Sequence, residues 1–169
     1  FGIKAAQSLA NKIDELGEDR VAAFIAEPIQ GAGGVIVPPN TYWPEVARIC
    51  KERGILLVAD EVICGFGRTG EWFATDYYDI QPDLMLFAKA VTSGYLPVGG
   101  AIVRDDIVDV IVSAGQEFAH GYTYSGHPTC MAAGIANLEL MKETNILHQV
   151  QSNTAPYLAS KWKTMEEHP

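Results

Sequence analysis

The sequence predicts an α/β fold built on a largely parallel sheet. Three observations carry that expectation. Apolar runs at residues 21–26, 55–59 and 84–88 are continuous rather than alternating, as in strands buried on both faces. Stretches with helical periodicity separate these runs, which is the alternation of an α/β layer. Each run also ends in an ionisable residue, Glu27, Asp60 or Lys89. In open sheets of this kind, ligands sit outside the carboxyl ends of the strands.

Each element has its own justification. Ile3, Ala6, Leu9, Ala10, Ile13 and Leu16 share one helical face, and Gly17 is placed to cap that helix. The run 21–26 ends in Glu27-Pro28, where proline removes a ladder donor and marks the exit of a buried strand. Residues 30–39 are rich in Gly and Pro and read as a loop. Tyr42, Val46, Ile49, Cys50 and Arg53 resume the helical period, which stops at Gly54. The second strand, 55–59, leads into Asp60-Glu61, and a Gly-rich loop follows at 64–70. The third strand, 84–88, leads into Lys89, and Ala101, Ile102 and Val103 form a short fourth strand. Asp105 and Asp106 open a helix through Ile111, with their charges at the favourable end of its dipole. Residues 128–142 are helical, with Ala132, Ala133, Gly134 and Ala136 allowing close packing. Leu158, Trp162 and Met165 outline a last amphipathic helix after Pro156.

Composition narrows the functions on offer. The 169 residues carry 12 Lys+Arg against 21 Asp+Glu, a net charge of −9. A nucleic-acid footprint needs a basic patch, and docking on an anionic membrane needs the same sign. Hydrophobic residues at 48% and charged residues at 20% are ordinary for a globular chain, and no apolar run reaches bilayer length. The three cysteines, Cys50, Cys64 and Cys130, are odd in number and widely spaced, which favours a reducing, cytoplasmic setting over a disulfide framework. The chain opens on Phe1 directly into a helical pattern and ends at Pro169, so a fragment of a longer protein is expected.

Chemistry concentrates on two side chains. Of seven lysines, six lie in polar helical or helix-flanking positions, and only Lys89 ends an apolar strand. A desolvated lysine there is a nucleophile able to form a Schiff base, whereas the bland alternative is a strand-end lysine that snorkels to water. Asp60, at the end of the neighbouring run, is suited to hold a protonated ring nitrogen, or simply to make a loop hydrogen bond. Together they supply the two protein groups that a pyridoxal phosphate site needs.

Four blocks then occur in order: Glu27-Pro28-Ile29-Gln30-Gly31; Asp60-Glu61-Val62-Ile63-Cys64-Gly65-Phe66-Gly67-Arg68-Thr69-Gly70; Ala88-Lys89 with Gly94-Tyr95-Leu96-Pro97-Val98-Gly99; and His120-Gly121-Tyr122-Thr123-Tyr124-Ser125-Gly126-His127-Pro128. On these blocks the chain resembles the class III pyridoxal-phosphate-dependent aminotransferases. The resemblance implies the large domain of a fold-type I transferase, a mostly parallel sheet flanked by helices. It covers that domain in part: residues 1–169 lack its N-terminal portion and the C-terminal small domain, and residues from about 145 begin the connection towards the latter.

The same resemblance implies roles. Lys89 matches the Schiff-base lysine, Asp60 the acid on the pyridine nitrogen, and Val62 the branched residue on one ring face. Thr123 matches the hydroxyl that reaches the cofactor phosphate of a neighbouring subunit in a homodimer, and Glu27 is carried over as a supporting cofactor-site residue. The implied activity moves an amino group from a primary amine or ω-amino acid to a keto acid, in ping-pong fashion. Ala32 and Ile63 depart from the ornithine- and 4-aminobutyrate-type pattern and are more similar to ω-amine and polyamine transaminases that use pyruvate. The alternatives are an aminomutase, racemase or decarboxylase on the same core, or an inactive fragment with a structural or binding role.

Other features are set aside. The 65–70 loop lacks both the Walker ending and dinucleotide-fold spacing, and reads as a structural turn. His120, His127 and Cys130 form no zinc pattern, so no metal is expected. Asp14, Glu15, Glu18 and Asp19 read as a solvated helix end, and Arg68 is left between meeting an anion and bracing its loop.

Overall fold

The computed structural model describes residues 1–115, 117–166 and 168. Helix α1 (Gly2–Leu16) buries Ala6, Ala10 and Ile13 of the predicted face, together with Gly2, while Ile3 and Leu16 of that face are exposed. It ends at Gly17, whose φ of 92° suits a residue without Cβ, and whose N–H donates to the Ile13 carbonyl. Strand β1 (Ala23–Ala26) follows, then α2 (Tyr42–Glu52), which buries Trp43, Val46, Ile49 and Cys50. Strand β2 (Leu56–Asp60), the one-turn helix α3 (Ala74–Tyr77) and strand β3 (Leu84–Phe87) come next. Strand β4 (Gly100–Val103) and helices α4 (Asp105–Ser113) and α5 (Pro128–Glu143) complete the sheet layer. The chain then runs through α6 (Ile146–Gln149), a π-helical turn (Val150–Thr154) and α7 (Ala155–Glu166).

The sheet has the order β1-β2-β3-β4. β1 pairs parallel with β2, and β2 with β3, with Ala26 opposite Ala59 and Asp60 opposite Leu86. β3 and β4 are antiparallel, with Phe87 opposite Gly100, so the sheet is mixed. The reason lies in the connections. A helix or a long loop spans each parallel step, whereas the short link from β3 to β4 carries only a 3₁₀ turn, Lys89–Thr92, and suits an antiparallel return.

The core lies between α1, α2 and the β1–β2 part of the sheet, where Ala6, Ala10, Ile13, Trp43, Val46, Ile49, Ile55 and Leu57 form one cluster. Trp43 is 1% exposed and its indole Nε1 donates to the Pro28 carbonyl at 2.9 Å, so the core also fixes the exit of β1.

Four expectations need correction. Continuous apolar runs do not mean uniform burial: β2 encloses Leu57, Val58 and Ala59, but Ile25 on β1 and Ile102 on β4 are more than half exposed. β1 and β4 are the edges of this sheet, and an edge strand has a neighbour on one side only. The small residues of α5 do not all pack closely, since Gly134 alone is buried there. The face of α7 expected from Leu158, Trp162 and Met165 is exposed. Lastly, the acidic run is not wholly solvated: Arg53 of α2 bonds Asp14 at 2.6 Å and Glu18 at 2.5 Å, tying the end of α1 to α2. Such exposed, salt-screened pairs add little to stability. No helix among the described residues is long and apolar enough to cross a membrane.

Candidate active site

Parallel pairing brings the three predicted strand ends to one edge of the sheet. Glu27 follows β1, Asp60 closes β2, and Lys89 lies two residues beyond β3. Asp60 sits opposite Leu86, so Lys89 is three residues further along the adjacent strand, through the extended Ala88. At ~3.3 Å per residue and ~4.8 Å between strands, the two backbones are separated by about 11 Å. An extended lysine, one six-membered ring and an aspartate have a combined length of that order.

Asp60 is half-buried and its Oδ1 accepts the Val62 N–H at 3.1 Å, a turn that leaves Oδ2 without a partner among the described residues. Val62, half-buried, is thereby fixed two residues beyond the acid. The loop hydrogen bond and the ring-nitrogen role are compatible, since they use different oxygens.

Lys89 corrects one expectation: it is exposed rather than desolvated. Its φ of 47° is in the left-handed region, unusual for a residue with Cβ, and it opens the 3₁₀ turn that breaks β3. Asn137 of α5 holds that turn. Its Nδ2 donates to the carbonyls of Ala90 (3.0 Å) and Val91 (3.1 Å), and its Oδ1 accepts the Ser93 hydroxyl at 2.7 Å. Thr92, buried, donates through Oγ1 to the Leu96 carbonyl at 2.5 Å. Strain at Lys89 is thus stabilised by four side-chain bonds close by in the chain and on one helix.

Glu27 is half-buried and accepts the Gly31 N–H at 2.8 Å, which folds the chain after β1 into a tight turn. A Cβ at Gly31 would lie 2.3 Å from the Ile63 Cδ1 and 3.1 Å from its Cγ2, so the Ile63 side chain would have to move aside. The two stretches that carry Ala32 and Ile63 therefore touch. The 65–70 loop closes as the structural turn expected, with Phe66 N–H on the Trp72 carbonyl (2.6 Å) and Gly67 N–H on that of Glu71 (3.1 Å).

Of the predicted site residues, Lys89 lines one of two cavities, and Glu27, Asp60, Val62 and Thr123 line neither. One, of about 580 Å³, is lined by Phe66, Gly67, Arg68, Lys89, Ala90, Ser93, Gly94, Ile146 and Val150, so Lys89 and Arg68 share it. The other, of about 540 Å³, is lined by Pro97, Val98, Gly99, Tyr122, Tyr124, Ser125, Gly126, His127, Cys130 and Met131. Thr123, exposed in the turn between Tyr122 and Tyr124, faces solvent in this single chain and meets neither Lys89 nor Asp60.

Sequence reasoning gave no role to two residues. Glu61 is 0% exposed, and its carboxylate accepts the N–H groups of Ala74 (3.1 Å) and Thr75 (2.7 Å). Burial pushes its carboxyl above the ordinary range, against the opposing pull of those two donors. Two consecutive acids at the end of a buried strand were the available signal, because one must turn inward. Asn137 carried a fainter one: an amide in mid-helix has poor propensity and asks for a tertiary partner.

The donor set fits a pyridoxal group: an amine with no partner among the described residues, and a carboxylate with one oxygen free, at neighbouring strand ends. A family model described as Aminotransferase class-III matches residues 2–168. The chain is 57% identical over its whole length to a putrescine–pyruvate aminotransferase of Pseudomonas aeruginosa, of which it covers 37%. It is 45% identical to the chloroplastic gamma aminobutyrate transaminase 3 of Solanum lycopersicum, covering 33% of that protein. Among solved structures, an (S)-enantioselective omega-transaminase from Thermomicrobium roseum superposes with a TM-score of 0.93 at 46% identity, over 97% of this chain and 36% of that one. The chain thus spans about a third of the length of these relatives.

Proposed function

This chain belongs to the class-III aminotransferase family, and we propose that it carries the lysine–aspartate half of a pyridoxal phosphate site in an enzyme that moves amino groups from primary amines or ω-amino acids to a keto acid. The observation that supports this reading most directly is the pairing of β2 with β3, with Asp60 opposite Leu86 and Lys89 three residues further along the neighbouring strand.

Lys89 would hold the cofactor covalently, Asp60 would face its ring nitrogen and Val62 one face of the ring, with Glu27 supporting the wall beside them. When bound, pyridoxal phosphate supplies a conjugated ring that accepts the electron pair left when the amine carbon loses its proton. Asp60 would favour a protonated ring nitrogen beside it, which would keep that ring electron-poor. The Lys89 amine would take the proton from the amine carbon and return it on the cofactor side, as base and then acid. The Asn137 bonds keep the Lys89 backbone fixed while its side chain moves.

A diamine or other primary amine as donor and pyruvate as acceptor follow from the putrescine–pyruvate relative, and ω-amino acids from the aminobutyrate transaminases. Thr123, exposed with Tyr122 and Tyr124, is suited to reach the cofactor phosphate of a second subunit in a homodimer. Three free thiols fit a cytoplasmic setting.

The test uses the full-length protein. Borohydride reduction followed by digestion is expected to leave the pyridoxyl adduct on Lys89, and Lys89→Ala to abolish both the visible chromophore and turnover. An adduct on another lysine refutes the assignment. Stoichiometric exchange of amine for keto acid distinguishes transamination from racemase, mutase or decarboxylase chemistry.

A further inference from the structure

Glu61 is the most completely enclosed charged side chain of the strand-end region, and the proposed chemistry leaves it unused. All four of its hydrogen-bonding positions are taken. Its N–H donates to the Leu86 carbonyl at 2.9 Å, and its own carbonyl accepts the Gly65 N–H at 2.9 Å. Its two carboxylate oxygens take the Ala74 and Thr75 N–H groups. The first bond ties the end of β2 to β3, the second closes the turn over residues 61–65, and the carboxylate pins that turn to the start of α3. Asp60 and Val62 are its two chain neighbours, and they are joined to each other by the Asp60–Val62 bond.

A buried carboxylate desolvates a charge, but an apolar residue of similar volume here would leave two buried backbone donors unpaired. Asp76 accepts the Phe73 N–H at 3.1 Å, which leaves the Ala74 and Thr75 N–H groups to Glu61. What a carboxylate adds is direction. Two backbone donors fix both of its oxygens, and so fix the rotation of the peptide units on either side of residue 61.

We propose that Glu61 is a positioning residue for the pyridine-binding acid: by clamping the 60–62 segment between β3 and α3 it sets the direction in which the Asp60 carboxylate meets the cofactor ring. This deepens the reading given above and rests on it. Glu61 itself touches no reacting atom.

The test again uses the full-length holoenzyme. Glu61→Gln keeps the volume but turns an amide N–H₂ towards a backbone N–H, so one of the two bonds is lost. The variant is expected to unfold cooperatively, yet to release pyridoxal phosphate with a dissociation constant about tenfold higher, the equivalent of one lost buried hydrogen bond. The pH midpoint of the bound cofactor's visible band is expected to move with it. Because Glu61 acts through Asp60, Glu61→Gln should add little to either readout once Asp60→Asn is present. Should Glu61→Gln fail to fold, Ala74→Pro leaves the glutamate in place and removes one donor at the first helical position, where proline is favoured and the preceding Phe73 is already extended. It is expected to shift the same two readouts. A folded variant with lower thermal stability but unchanged cofactor affinity and band midpoint overturns the proposal, as do effects additive with Asp60→Asn. A wild-type protein with its adduct off Lys89 instead overturns the parent reading, and this one with it.

Discussion

At the scale of single residues, the contact between Gly31 and Ile63 is the tightest steric constraint near the strand ends. Gly31→Ala drives a methyl group into the Ile63 side chain, whose Cδ1 would lie 2.3 Å away. Overpacking of this kind is expected to destabilise by about 1–3 kcal/mol. Ile63→Val deletes the Cδ1 that lies nearest and should recover part of the loss, so the two substitutions must couple in a double-mutant cycle followed by chemical denaturation. Independent, additive effects would show that the two loops do not touch. Residues of this kind explain what was legible in the sequence. Lys89, Asp60 and Glu27 were visible because an ionisable group closing an apolar run is anomalous in one dimension. The Gly31–Ile63 contact was not, since it exists only once two distant loops are brought together. Glu61 was half visible: the doubled acid could be read, but the burial of its carboxylate against α3 depends on residues further along the chain.

At the scale of elements, helices with a clear apolar period are legible in the sequence, as α1 and α2 show by burying the middle of the expected faces, Ala6, Ala10 and Ile13 in one and Val46, Ile49 and Cys50 in the other. The direction of β4 is not, because a short apolar run pairs equally well in either sense and the length of its connection decides. α5 illustrates the same limit. Its small residues suggested packing along its length, yet its hold on the sheet layer runs through the bonds Asn137 makes to Ala90, Val91 and Ser93. That clamp makes a prediction about charge. Asn137→Ala removes the bond to the Val91 carbonyl and one of the two bonds to that of Ala90, which keeps the Ser93 N–H, and is expected to destabilise by about 1–3 kcal/mol while weakening retention of the cofactor at Lys89. Asn137→Asp is expected to be worse near neutral pH, since an ionised carboxylate only accepts and would face two other acceptors. On acidification the acid becomes a donor again, so the gap between the Asp and Ala variants should close as pH falls through the carboxylate range. Denaturation curves of both variants at several pH values measure this. A gap independent of pH would remove Asn137 from the support of the Lys89 turn.

At the scale of the whole molecule, the 169 residues expose more apolar surface than an isolated unit tolerates. Ile25 on one sheet edge is 57% exposed and Ile102 on the other 52%, while Val110, Val112 and Trp162 are each about two-thirds exposed on their helices. Both edges also present unpaired backbone groups, the standard template for aggregation. In the relatives, the chain corresponds to about a third of the protein. Expressed alone, this segment is therefore expected to bind a hydrophobic dye strongly, to self-associate as its concentration rises, and to show no amine turnover. The full-length protein should do none of the first two and perform the third. Light scattering and dye fluorescence of both forms, with a donor screen against pyruvate and 2-oxoglutarate, separate the cases. Replacing Ile25 and Ile102 by lysine tests the cause as well as the effect. In the isolated segment, charge on both edges should reduce association, because an edge that carries charge pairs poorly with a copy of itself. In the full-length protein the same pair should destabilise if those edges lie against other strands. A segment that stays monomeric, excludes the dye and turns over amines would show that the sheet needs no cover and that Lys89 and Asp60 suffice for the chemistry.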